Sequence, residues 1–122
     1  MNAAVYFEIP VTDMPRAIAF YQAVFGYAFE LDTIHDCEMA FFPLEEQQGG
    51  ISGALAKGSI YKPSHEGSLI YLQTDDLEAT LQRATDLGAP ILFPLTHNPG
   101  WGYVAEIEDS EGNRIALKQA EK

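Results

Sequence analysis

The chain has 122 residues, 47% hydrophobic and 20% charged, which is a globular composition and enough for one ordinary domain. Seven Lys and Arg against eighteen Asp and Glu leave a net charge of −11, so no nucleic-acid partner and no anionic membrane surface is expected. No run approaches the ~20 apolar residues of a membrane helix. MNAAVYFEIP lacks the basic flank and apolar core of a signal peptide. The single Cys37 excludes an intrachain disulfide and a cysteine-built zinc site, and a cytoplasmic protein is expected.

Residues 3–9 alternate as a strand, with Tyr6 and Glu8 on one face and Val5, Phe7 and Ile9 on the other. Thr12-Asp13 offers an N-cap and Pro15 suits a first helical turn. Met14, Ile18, Tyr21 and Phe25 then recur at helical spacing as far as Gly26, a natural helix end. Strands are predicted at Tyr27–Leu31, Glu38–Pro43 and Ile51–Ala56, with turn material at 45–50. The plan then repeats. SLIYLQTDD (68–76) reads as a strand running into a cap. Leu77, Leu81, Ala84 and Leu87 form a helix face that ends at Gly88. Further strands are predicted at Ile91–Leu95, Tyr103–Ile107 and Arg114–Lys118, the last two joined by the turn EDSEGN (108–113).

Asp76 lies 63 residues after Asp13, and the same shift carries Met14 onto Leu77, Ile18 onto Leu81 and Tyr6 onto Leu69. The register slips by one before Gly26 and Gly88. Two βαβββ modules therefore fill the chain, 1–62 and 63–122. A single module of this size is marginal alone, so the two are expected to share a sheet or exchange strands with a partner chain.

The stretches YFEIPVTDMPRAIAFYQAVFG, YLQTDDLEATLQRATDLGAPI and EDSEGNRIAL together resemble the vicinal oxygen chelate superfamily of glyoxalase I, bleomycin-resistance proteins and extradiol dioxygenases. The likeness spans essentially the whole chain. It implies an α+β fold in which the two modules, together one glyoxalase-like domain, form a curled, cup-shaped mixed sheet with helices outside. It also implies a homodimer. Metal-using members take ligands from the first and last strand of each module. Those positions here are Tyr6, Leu69, Gly53 or Ala54, and Ala116. An aliphatic side chain has no lone pair and tyrosine must first lose its proton. No metal site and no cofactor is therefore expected, and glyoxalase I chemistry least of all.

Glu8 has the parity of Tyr6 and so faces the cup, as a ligand for an amine, a general base, one ligand of a displaced metal site, or a structural acid bonded to Arg114 or a backbone group. Arg114 has the parity of Ala116 and either clamps a ligand carboxylate or pairs with Glu8 or Glu106. Tyr71 occupies the place of Glu8 in the second module, and Gln73 shares its face. The two are either polar handles of an apolar cup or core and rim residues. THNPGWGY puts Trp101 and Tyr103, beside His97, on a loop that suits a stacking lid, a barrel plug or a dimer contact. His35, His65 and His97 fall in loop-like segments without metal-ligand spacing. Cys37 shares a strand face with His35 if both lie in one strand, although a small packing residue is the plainer reading.

Three functions fit these residues. The first is binding of a small organic molecule in a metal-free cup anchored by Glu8 and Arg114. The second is a lyase, isomerase or dioxygenase-type enzyme with a rebuilt metal site or acid–base chemistry by Glu8. The third is an interaction module whose vestigial pocket is plugged by Phe41, Phe42, Met39 and Tyr71. Catalysis is left open.

Overall fold

The first module runs β1 (Phe7–Pro10), α1 (Met14–Phe25), β2 (Glu30–Ile34), β3 (Cys37–Phe41) and β4 (Gly53–Lys57). The second runs β5 (Tyr71–Gln73), α2 (Leu77–Asp86), β6 (Ile91–Asn98), β7 (Gly102–Glu108) and β8 (Arg114–Gln119). These come from a computed structural model that describes residues 1–122. Each module forms a four-stranded mixed sheet, ordered β1-β4-β3-β2 and β5-β8-β7-β6. β1 lies parallel to β4 and β5 parallel to β8, while the other pairs are antiparallel. Glu8 sits opposite Ala54 and Tyr71 opposite Ala116, so the internal repeat holds in the strand register. The two sheets do not pair with each other and neither closes on itself.

Local chemistry explains both helices. The Asp13 side chain accepts from the Arg16 N–H at one N-terminus, and Asp76 accepts from Ala79 at the other. Gly26 closes α1 at φ 81°, donating its N–H to the Gln22 carbonyl. Apolar stripes of the two helices merge with one face of each sheet into a single core. That core includes Ile9, Tyr21, Leu55, Leu77, Ile107 and Leu117. Arg83 on α2 donates from Nε to the Val24 carbonyl at the end of α1, at 2.8 Å. No helix is long and apolar enough to cross a membrane.

A second bond set fastens module to module. Glu111, in the β7–β8 turn, accepts from the N–H groups of Thr12 and Asp13 at 2.9 and 2.8 Å and from Arg16 Nε at 2.7 Å. Its side chain is closed to solvent. Burial alone would raise its pKa, but the bonds from Arg16, Asp13, Thr12 and Ser110 outweigh that and bring it down to about 2. In the same turn, Asp109 accepts from the Tyr21 hydroxyl at 2.7 Å, and Asn113 donates to the Pro10 carbonyl at 2.7 Å. The EDSEGN turn is thus both a hairpin and the cap of the other module's helix.

Several element boundaries differ from expectation. β2 occupies Glu30–Ile34 rather than Tyr27–Leu31. Tyr27 and Phe29 instead join Phe25 and Phe42 in an aromatic cluster, and their burial uses the residues that alternation assigned to a strand. β5 keeps only three residues, and β6 runs on through His97 to Asn98. His35 and Asp36 have φ values of 50° and 64°, which makes them the β2–β3 turn. His35 therefore does not share a strand face with Cys37.

Candidate functional site

The strand register defines the sheet faces turned away from the helices. On the first sheet, Glu8, Ala54 and Phe41 lie on that side. Tyr6, just before β1, and Tyr61, in the chain after β4, converge there on Glu8. Tyr61 Oη donates to Glu8 Oε1 at 2.8 Å and Tyr6 Oη to Oε2 at 3.1 Å. Burial, then the bond to Glu8, pushes the Tyr6 phenol up to about 12. The bond to Glu8 raises Tyr61 as well. Both phenols are therefore held as donors, and the carboxylate is fixed in place with acceptor capacity to spare. Beside it, Met39, Ala54 and Ala56 form a small apolar cluster flanked by Cys37, Phe41 and Tyr61. A groove of about 860 Å³ opens at this end, lined by Tyr6, Glu30, Phe41, Leu44 and Ile51 among others.

On the second sheet the corresponding face carries Tyr71, Ala116 and Glu106. Trp101 lies against Tyr71 with ring centroids 5.5 Å apart, and Lys118 Nζ sits 4.6 Å from the Trp101 ring. Tyr71, on the sheet face, and Trp101, in the turn before β7, are 43% and 48% exposed. Arg114 Nε donates to Glu106, the structural pairing anticipated for it. The turn bearing Trp101 is held by the C-terminal Glu121. That carboxylate binds His97 Nε2 and the Gly100 N–H, each at 2.7 Å. These bonds, His97 first, lower the Glu121 pKa.

The residues singled out from the sequence thus fall into two groups. Tyr6 and Glu8 meet on one sheet, and Tyr71, Trp101 and Arg114 lie on the other. Tyr103 departs from the lid, plug or dimer-contact role expected for it as a ligand-binding residue. It lies opposite Gln119 on the helix side, packs against the core and stacks on His97 at 4.5 Å. Gln73 is exposed and lines a groove between the modules with Asp75, Asp76 and Arg83. Glu8 is bonded to tyrosines and not to Arg114. Sequence reasoning missed Tyr61, because it falls between the predicted strands and reaches Glu8 only through the tertiary fold. It missed Lys118 as well, whose parity with Ala116 was the available signal.

The superfamily's metal positions do not fit a metal here. Tyr6 offers a phenol pushed up to about 12. Leu69, Ala54 and Ala116 offer no donor atom. No group of three or more His, Cys, Asp and Glu side chains is arranged to hold an ion elsewhere.

The sequence model of the Glyoxalase/Bleomycin resistance protein/Dioxygenase superfamily matches residues 3–117. The chain belongs to this superfamily. A glyoxylase-like domain-containing protein of Didymella fabae is 30% identical over 117 residues, covering 90% of this chain and 88% of its own. Among solved structures, a glyoxalase/bleomycin resistance protein from Streptomyces sp. CB03234 is 27% identical. It superposes with a TM-score of 0.70 over 96% of this chain and 100% of its own. TnmS3, an antibiotic binding protein from the same strain, is 24% identical, with a TM-score of 0.70 over 99% and 98% of the two chains. That likeness shows the shared fold.

Proposed function

We propose that this superfamily member binds a small aromatic organic molecule, without a metal, in a cup completed by a second copy of the chain. The observation that carries the reading is the pair of open sheet faces. One presents Glu8 held by Tyr6 and Tyr61, and the other presents Tyr71 and Trp101 under Lys118. Within one chain the first face buries Met39, Ala54 and Ala56 against Tyr61, while Tyr6, Glu8, Tyr71 and Trp101 stay exposed. The first face also carries Glu30 and Asp32, opposite Phe41 and Met39; on the second, Glu106 and Glu108 stand beside Arg114, and Lys118 is the cation in no ion pair that can meet those acids. A homodimer that stacks one face on the other supplies aromatic walls from both copies and a carboxylate anchor for an amine or cation. The open groove beside Phe41 favours binding over a plugged, vestigial pocket. The fold is shared with an antibiotic binding protein, which supports a small-molecule reading. The half-buried free thiol of Cys37 suits the reducing cytoplasm.

The test combines light scattering with titration of proflavine, a planar aromatic cation, followed by Trp101 emission. A dimer with saturable quenching is expected, along with at least about tenfold weaker binding in Glu8→Gln, because a charge-assisted bond is lost. A monomer that shows no saturable quenching refutes the reading.

A further inference from the structure

Glu8 and Arg114 come together in a way the cup does not require. Both line a separate cavity of about 210 Å³ where the segment linking the modules crosses between β1 and β8. Its other polar walls are Lys62, Ser64, Glu66, Ser68 and Asn113. A carboxylate and a guanidinium on one small cavity ordinarily collapse into an ion pair. Here they do not pair with each other. The fold holds them on separate supports, Glu8 on the phenols of Tyr6 and Tyr61 and Arg114 on Glu106. The Arg114 Nη1 and Nη2 groups make no hydrogen bond, and Lys62 forms no ion pair. Glu66 is likewise free of ion pairs. The Arg114 backbone N–H donates to the Ser64 carbonyl, and Ser64 N–H donates to Asn113 Oδ1, so the linker wall is tied to the sheet. Groups of both signs, Glu8 and Glu66 with Arg114 and Lys62, thus line one cavity without pairing with each other, and it has room for about seven waters, at ~30 Å³ each.

We infer that this junction cavity is a second binding site that takes a small zwitterion, the ammonium–carboxylate head of an α-amino acid. The ammonium meets Glu8, with Glu66 beside it. The carboxylate meets the unused guanidinium nitrogens of Arg114 and the ammonium of Lys62. A ligand with only one charge leaves the lining groups of the other sign unanswered and is held less well. The site shares Glu8 with the cup but needs no partner copy and no aromatic wall.

The test is titration of ¹⁵N-labelled protein with L-alanine, propylamine and propionate in turn, reading the amide shifts of Ser64, Ser68 and Asn113. L-alanine is expected to give saturable shifts at these amides. Each single-charge analogue should need at least about tenfold higher concentration, and Glu8→Gln and Arg114→Gln should each weaken L-alanine by at least about tenfold. Absence of saturable shifts with L-alanine overturns the inference, and so does equal binding of propionate, which marks a plain anion site. Should Arg114→Gln fail to fold, the wild-type selectivity among the three probes still decides. Proflavine quenching of Trp101 reports on the cup alone, so the two readings fail separately.

Discussion

Replacing Glu111 by Gln tests whether one side chain joins the modules. Glutamine keeps the size and one acceptor oxygen. It loses the charge facing Arg16 and turns an NH₂ group toward the guanidinium. The carboxyl of Glu111 sits at about 2 against an ordinary 4.5. At 1.36 kcal/mol per pKa unit, that gap is worth at most about 3 kcal/mol. Arg16 is half-exposed, and solvent screening brings the expected loss to about 2 kcal/mol. This corresponds to a Tm lower by about 6–10 °C for a domain of this size. The pH dependence has a definite sign. A carboxyl lowered by folding stabilises the native state fully above its unfolded value, and that contribution fades as pH falls from about 4.5 toward 2. Urea unfolding of wild type and variant at several pH values between 7 and 2.5 checks both claims. The gap should be largest at pH 7 and shrink below pH 4.5. A difference under about 0.5 kcal/mol at pH 7, or one that does not change with pH, refutes the assigned role of this carboxylate.

Three further outcomes are expected. Gly53→Ala places a Cβ 2.0 Å from the Phe7 carbonyl oxygen, so the β1–β4 pair must separate; a loss above about 3 kcal/mol or insoluble protein is expected, and wild-type-like thermal unfolding counts against the close approach. Tyr21→Phe removes the hydroxyl from buried Asp109 and should cost about 1–3 kcal/mol in urea unfolding, leaving Asn113 as the remaining side-chain donor. Glu121→Gln should loosen the turn carrying Trp101, read as stronger acrylamide quenching of its emission. Because folding lowers the Glu121 pKa, wild type should acquire the same signal as pH drops below the ordinary carboxylate range, while the variant should not change.

Periodicity and punctuation were enough to define the modules. Asp13 and Asp76 cap helices because a carboxylate satisfies free N–H groups locally, and Gly26 ends one because it accepts a left-handed backbone. The strand parity that put Glu8 with Tyr6 and Tyr71 with Ala116 is local geometry too, and it holds. Tyr103 shows where loop signals are insufficient, since Pro and Gly place it beside a lid-like loop. Its strand is right, but Gly102 at φ 129° and the pairing with Gln119 set which face it takes. Alternation assigns Tyr27 and Phe29 to a strand, but their partners, Phe25 and Phe42, are brought close only by tertiary packing. The three-dimensional structure alone decided that Tyr61 reaches Glu8, that Glu111 clasps the opposite helix, and that Glu8 and Arg114 share a cavity without pairing. Each depends on contacts between residues about fifty or more positions apart. Repeat and alternation carry no information about such contacts, because they fix the direction of a side chain from its own element and not what will stand in front of it.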